Sequence, residues 1–308
     1  MQAEVSGFCC TTRNKSFLCA GKRSLPCIAK QVLLMAFNIF SLMAFVLGVV
    51  VLPLIFSKFI YPDLLKKRPA FAAIAAAFFV LIGFIAAFFV FSSSMSIAMI
   101  AFGSLLLLPF IIKILEPNTD YEPPKGKPLR LSDIFKTHNR LIVFYVFLFF
   151  GMALEYTLLF AVLPPTLSDT AFSNQMALIG PAGQFGLPDM FASILGNNVM
   201  ILIIAFALSV FFGAGSIFVL NYNASIAGVL YGSTFRTLLW GTPPVAANLL
   251  FFLPHTILEI LAYLLAAVGG GILVRGLTKE NVRDSAVLFV ISLMVLILAA
   301  WVEVQVPV

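Results

Sequence analysis

Charged residues are scarce in this sequence. They make up 10% of the 308 residues, whereas 61% are hydrophobic. Soluble domains carry about 25% charged residues, so the composition excludes a water-soluble globular protein and predicts an integral membrane protein. The formal net charge of +6 does not indicate nucleic-acid binding, because the basic residues lie in short segments between hydrophobic runs, where they orient a chain in the membrane.

Cysteine is also scarce, and all four cysteines precede the first hydrophobic run: Cys9, Cys10, Cys19 and Cys27. Their spacing matches no paired CxxC zinc pattern. We interpret residues 1–31 as a basic, cysteine-bearing segment that is either palmitoylated or the product of an overextended gene start, with Met35 as the later start that we favour.

Long hydrophobic runs dominate the rest of the chain, and each run of about 20 apolar residues can cross a bilayer. Seven runs are clear, while an eighth, 224–241, is short and contains Arg236. The segments 57–69 and 116–140 are basic, as is the segment after residue 274, whereas 164–198 contains no Lys or Arg. With the basic segments inside and 164–198 outside, 224–241 must also cross.

We therefore predict an all-α polytopic membrane bundle with about eight transmembrane helices. The predicted spans are 32–56, 70–91, 95–115, 141–163, 199–220, 224–241, 248–274 and 285–304. The polar, proline-rich segment 116–140 is predicted to be a cytoplasmic linker between a three-span block, 32–115, and a five-span block, 141–308. The apolar outer loop 164–198 is expected to lie along the membrane interface as short helices.

Polar side chains fall at one level of this topology, in the outer half of the bilayer. Ionisable groups there are costly and seek partners, so we expect Arg236 to pair with Glu259 or Glu155. Asn197 and Asn198 can cap the helix that they begin. The predicted outer-leaflet polar cluster consists of Asn197, Asn198, Arg236, His255, Glu259 and Glu155.

Three interpretations of this cluster stay open. It can be a structural group of mutually paired polar side chains that fixes helix register, or a transport or proton-relay site. It can also be the centre of an intramembrane metalloprotease, with His255 and Glu259 as weak metal candidates. The last is disfavoured because the chain has no HExxH motif and the other histidine, His138, is predicted on the opposite side. We predict no catalytic residue, metal or cofactor.

Small residues at helical spacing predict close helix packing, because they let backbones approach within the membrane. We expect Gly213 and Gly215 to lie on a span facing the others. The predicted packing residues are Gly213, Gly215, Ala224, Gly228, Gly232, Ala266 and Gly270.

Several of these residues together resemble the stage II sporulation protein M family over about residues 139–305. The pattern comprises Asn197-Asn198, Phe206, Phe212, Gly213, Gly215, Asn221, Gly228, Gly232, the helix Pro254-His255-x3-Glu259, and then Ala262, Ala266 and Gly270. Thr256 and Tyr222 depart from it, since the family usually has glycine at both positions. The family's polar residues map onto Asn197, Asn198, His255 and Glu259 without assigned chemistry.

The resemblance implies a non-catalytic, multi-pass scaffold of the archaeal or bacterial cell envelope. In endospore formers the family member recruits peptidoglycan-degrading partners, and only a scaffold or envelope-remodelling role carries over here. The alternative is a membrane transporter or channel that uses the polar cluster. Expected partners are the lipid bilayer and other membrane or envelope proteins, with a homo-oligomer left open and no nucleic acid.

Overall fold

The computed structural model describes residues 68–91, 94–115, 130–179, 187–242 and 249–305. Every regular element within these ranges is a helix, which confirms the predicted fold class. The predicted span 32–56, the N-terminal segment 1–31 and residues 116–129 of the predicted linker lie outside the described residues. The helices are α1 (Ala70–Val90), α2 (Met95–Leu115), α3 (Leu131–Val162), α4 (Pro165–Ala171), α5 (Ser173–Ile179), α6 (Leu187–Phe212), α7 (Ile217–Trp240), α8 (Leu249–Val274) and α9 (Lys279–Val304).

Five segments of these helices are long and apolar enough to cross a membrane, which makes the chain a multi-pass membrane protein by length and composition. The shorter apolar segment Met95–Pro109 belongs to α2. The count of eight spans remains a prediction. The five candidates are Ala70–Val90, Leu131–Val162, Met190–Phe212, Leu253–Val274 and Lys279–Val304.

The boundary between the predicted spans 199–220 and 224–241 is wrong. The chain breaks earlier, where Gly213 adopts a φ of 66° between α6 and α7, a left-handed conformation that glycine enters without steric cost. Residues 217–223 therefore belong to α7, whose 24 residues give it a length of about 36 Å. The segment that looked too short for a span is the second part of one long helix.

The helix α3 begins at Leu131, within the predicted linker 116–140, whose role as a cytoplasmic boundary between the two blocks stays a prediction. The backbone N–H of Arg130 donates a hydrogen bond to the side chain of Asp133 at 3.0 Å, which closes the first turn. An acidic residue in the first turn is favourable, since the N-terminus of a helix carries partial positive charge.

The loop 164–198 contains short helices, as expected, and part of it also packs into the bundle. It forms α4, α5 and the first turns of α6, and the side chains of Phe172 and Gln175 are fully buried. The Phe172 ring packs edge-on against Tyr156 and Phe160 of α3, with centroid distances of 6.0 and 5.3 Å. Aromatic side chains bury a large apolar area and favour edge-to-face contacts, so Phe172 anchors this part of the loop against α3.

Candidate functional site: an intramembrane polar cluster

Asn198 and Glu259 join α6 to α8. The Nδ2 atom of Asn198 donates a hydrogen bond to Oε1 of Glu259, and Asn197 Nδ2 in turn donates to Asn198 Oδ1 at 3.2 Å. Both asparagines lie ten residues or more into α6, which begins at Leu187. They therefore do not cap the helix, which corrects the sequence interpretation; instead, Asn198 is buried between helices.

Glu303, near the end of α9, is a member of this group that sequence reasoning missed. Its carboxyl group lies close enough to the carboxyl of Glu259 for the two to interact. The signal was present in the sequence, because a carboxylate in the last turn of the predicted span 285–304 falls at the same level as Glu259.

His255 and Tyr263 flank Glu259 at intervals of one helical turn and so lie on the same face of α8. His255 is 5% exposed and Tyr263 is 2% exposed, and Tyr263 lies within electrostatic reach of both Glu259 and Glu303. Within the described ranges, no three His, Cys, Asp or Glu side chains are grouped so that they could hold a metal ion. The structure therefore does not assemble His255, Glu259 and Glu155 into a metal centre.

Arg236 of α7 does not pair with Glu259 or Glu155, which corrects our expectation. Its Nη1 atom donates to Oδ1 of Asp169 in α4 at 2.6 Å, and its guanidinium lies 5.0 Å from the centroid of the Phe160 ring. The Arg236 side chain is 8% exposed, whereas that of Asp169 is 49% exposed. The sequence could not give this partner, because the position of Asp169 depends on how α4 folds back onto the bundle.

Glu155 of α3 stands apart from the rest of the predicted cluster. It is partly buried, and it makes no hydrogen bond or ion pair within the described part of the chain. The predicted cluster is thus divided into the Asn197–Asn198–Glu259 group with Glu303, the Arg236–Asp169 pair, and the isolated carboxyl of Glu155.

The predicted packing residues fall into two interfaces and one turn. A Cβ on Gly228 of α7 would collide with Tyr156 of α3, and one on Gly232 would lie 2.8 Å from the Thr157 carbonyl oxygen. A Cβ on Gly270 of α8 would lie 2.5 Å from the Phe206 carbonyl oxygen of α6. Ala224 on α7 and Ala266 on α8 are fully buried.

Gly213 and Gly215 do not lie on a facing span, contrary to our expectation. Both belong to the turn between α6 and α7. Gly213 has the positive φ already described, and a Cβ on Gly215 would lie 2.5 Å from the carbonyl oxygen of Leu208. They are needed because the chain reverses tightly there.

A second set of buried polar side chains links α2 to the rest of the bundle. Gln175 of α5 accepts a hydrogen bond from Ser96 Oγ at 2.6 Å and donates to Ser225 Oγ at 3.0 Å. Asn221 of α7 donates to Ser104 Oγ at 3.0 Å. Each of these bonds joins two elements. The third predicted span, 95–115, and the outer loop 164–198 are therefore tied to α7.

The opposite end of α9 carries its own polar pair. His138 Nε2 of α3 and Asp284 Oδ2 lie 3.1 Å apart, and Arg283 donates to the other oxygen of Asp284 at 2.9 Å. Nineteen residues separate Asp284 from Glu303, which corresponds to about 28 Å along a helix. Polar contacts therefore hold α9 at two levels separated by about the thickness of a hydrocarbon core.

Comparison with known proteins identifies one family and a distant relative. The profile described as Stage II sporulation protein M matches residues 139–306, which confirms the resemblance drawn from the paired asparagines and the His-x3-Glu helix. The chain is 31% identical over 152 residues to an uncharacterized protein of Methanocaldococcus jannaschii, a match that covers 46% of this chain and 79% of the relative. No solved structure matches.

Proposed function

Since the chain belongs to the stage II sporulation protein M family, we propose that it is a non-catalytic membrane scaffold that recruits partner proteins in the cell envelope. The observation that supports a structural role is the internal pairing of polar groups. Asn198 with Glu259 joins α6 to α8, and Arg236 with Asp169 joins α7 to α4. Side chains that satisfy each other across helices fix the arrangement of a bundle.

The proposed location is the cell membrane, with 116–140 on the cytoplasmic side and 164–198 outside. The support is the distribution of Lys and Arg, which are absent from 164–198 and concentrated in 57–69, 116–140 and 275–283. Cytoplasmic segments retain such positive charges during insertion.

A transporter is the second candidate, and the contact between Glu259 and Glu303 favours it. Paired carboxyl groups at membrane depth are typical of proton- or cation-coupled pathways. Against it stands the shortage of internal symmetry, because many transporters are built from repeated halves and the sequence shows none.

Flux measurements separate the two candidates. The protein is reconstituted in liposomes that contain a pH-sensitive dye, and proton and sodium gradients are applied to the wild type and to Glu259→Gln. A scaffold gives the same leak rate as protein-free liposomes for both proteins. If the wild type conducts ions and the flux falls in Glu259→Gln, the transporter is established and the scaffold proposal is rejected.

Recruitment is tested by photo-crosslinking in native membranes. A benzophenone amino acid is placed at Phe150 or Leu154, which are exposed on α3, and at the buried Leu148 as a control. The proposal expects the exposed positions to capture one and the same envelope protein and the buried position to capture none. That protein should also lose its localised distribution in the cell envelope when the chain is deleted, as seen by fluorescence microscopy; an unchanged distribution would contradict recruitment.

A further inference from the structure

Glu155 is a carboxyl group in an apolar setting, and it has no hydrogen-bond or ion-pair partner among the residues that the structure describes. It lies in α3, seven residues before the helix ends at Val162, or about 10 Å below that end. The other outer acidic groups of the described chain, Glu259, Glu303 and Asp169, have polar partners. An ionisable side chain within a membrane is costly and normally faces a partner or a polar cavity.

An exposed apolar stripe runs along α3 beside this carboxyl. Its members recur every four residues and therefore form one face of the helix. Glu155 precedes one of them, Leu158, by three residues, which makes the two side chains neighbours on the helix surface. The stripe consists of Val146, Phe150, Leu154, Leu158 and Val162, which are 43–61% exposed.

Charge complementarity decides what can cover this face. Lipid acyl chains provide neither a hydrogen-bond donor nor a positive charge for a carboxyl group. A second copy of the chain would bring another Glu155, and at this level of the described structure Arg236 is already engaged by Asp169 and Phe160. A helix with a Lys or Arg side chain, in contrast, would meet the stripe with apolar residues and the carboxyl with a cation.

We propose that the stripe and Glu155 form the docking surface for a partner transmembrane helix that carries a Lys or Arg at the depth of Glu155. This inference rests on the proposed scaffold function, because it names the chemistry of the recruited partner. The apolar stripe provides the packing surface, and the carboxyl selects for the basic side chain.

The test uses three labelled polyleucine transmembrane peptides and the full chain in liposomes. One peptide carries a lysine about 10 Å from one end, a second carries it at the helix centre, and the third has none. Energy transfer between labelled peptide and labelled protein measures association. We expect the first peptide to bind about tenfold more tightly than the other two, since polar contacts between membrane helices are worth about one decade in affinity.

The variant Glu155→Gln should abolish this preference. It should also fold normally, because Glu155 makes no bond in the described structure; an unchanged unfolding temperature checks this. Glu280→Gln removes a carboxylate outside the apolar part of α9 and serves as the matched control, which should keep the preference.

Equal binding of the three peptides, or a lysine preference that survives Glu155→Gln, overturns the proposal. Protein–protein energy transfer that is stronger than peptide binding and independent of Glu155 assigns the stripe to a second copy and also overturns it. The flux assay reports separately on the scaffold. If the liposomes show no flux and the peptides bind equally, the scaffold proposal is retained and the docking surface is rejected. If the protein conducts ions and the lysine peptide is preferred, the scaffold proposal is rejected and the docking surface is retained.

Discussion

Glu259 is the residue at which three helices meet. It accepts a hydrogen bond from Asn198 of α6 and contacts Glu303 of α9, while its own backbone belongs to α8. Because each contact comes from a different helix, loss of any one partner weakens an interface without removing the others. Each substitution of a partner of Glu259 should therefore lower the free energy of unfolding by a small amount, independently of the others.

The first prediction concerns Asn198→Ala. Removal of the amide deletes the only donor from α6 that is recorded for Glu259 in the described structure, so the free energy of unfolding should fall by about 1 kcal/mol. For a chain of this size, that lowers the melting temperature in detergent by about 1–2 °C, as measured by scanning fluorimetry. Asn174→Ala, at an exposed position of α5, is the control and should leave the melting temperature unchanged. A variant as stable as the wild type would show that the bond contributes nothing.

The second prediction concerns Asp169→Asn. The Arg236 guanidinium would lose its carboxylate but keep its contact with Phe160. Because Asp169 is half exposed, solvent screens the pair and the loss should be only about 0.5–1 kcal/mol. Thermal unfolding at low and high salt checks this, since the difference from wild type should shrink as salt screens the charges. A loss of the same size at both salt concentrations would contradict a charge interaction between Asp169 and Arg236.

At the scale of the elements, α7 depends on two glycines for its contact with α3. The backbones approach closely because Gly228 and Gly232 present no side chain to Tyr156 and Thr157. A Cβ at either position meets main-chain or Cβ atoms, which cannot rotate away. The small-residue spacing read from the sequence thus lies at a real helix interface.

The third prediction concerns Gly228→Ala. The added methyl group should force α7 away from Tyr156 and destabilise the protein by about 1–3 kcal/mol, the usual range for overpacking. Gly196→Ala in α6 is the matched control, because a Cβ there meets no atom within 4 Å and alanine favours a helix. Melting temperatures should fall for the first variant and stay or rise for the second. The opposite order would mean that the α3–α7 contact is looser than described.

The sequence predicted the elements better than it predicted their ends. Hydrophobic runs located the apolar part of each helix, because burial in lipid requires about 20 apolar residues. The break at Gly213 was missed, since the residues on both sides of it are equally apolar and only the local backbone conformation marks the turn.

The contact between Asn198 and Glu259 agrees with the single level at which the sequence placed them, whereas the other pairings were not predicted. Asn198 and Glu259 were expected at one level because topology fixes height within the membrane. The partner of Arg236 was not foreseen, since Asp169 comes from a short helix whose position is set by the burial of Phe172. Which side chains pair depends on the tertiary structure, and the number and order of the predicted spans do not determine it.

At the scale of the whole molecule, sidedness is the property that the charge distribution predicts most directly. The fourth prediction uses single cysteines in a chain whose four native cysteines are replaced by serine. Thr170→Cys in α4 should react with a membrane-impermeant maleimide in intact cells, whereas Lys279→Cys at the start of α9 should react only after permeabilisation. Labelling of both cysteines from the same side would contradict the prediction, because it would mean that the chain crosses the membrane an even number of times between positions 170 and 279 rather than an odd number.

The two polar attachments of α9 have a consequence for the surrounding lipid. Contacts at Asp284 and near Glu303 fix the helix at both ends, so it cannot easily tilt or slide to suit a thinner or thicker bilayer. The adjustment then falls on the membrane, which must stretch or compress its acyl chains around the protein. We therefore expect the molecule to prefer lipids of one chain length, so that bilayer thickness would sort it among regions of a membrane.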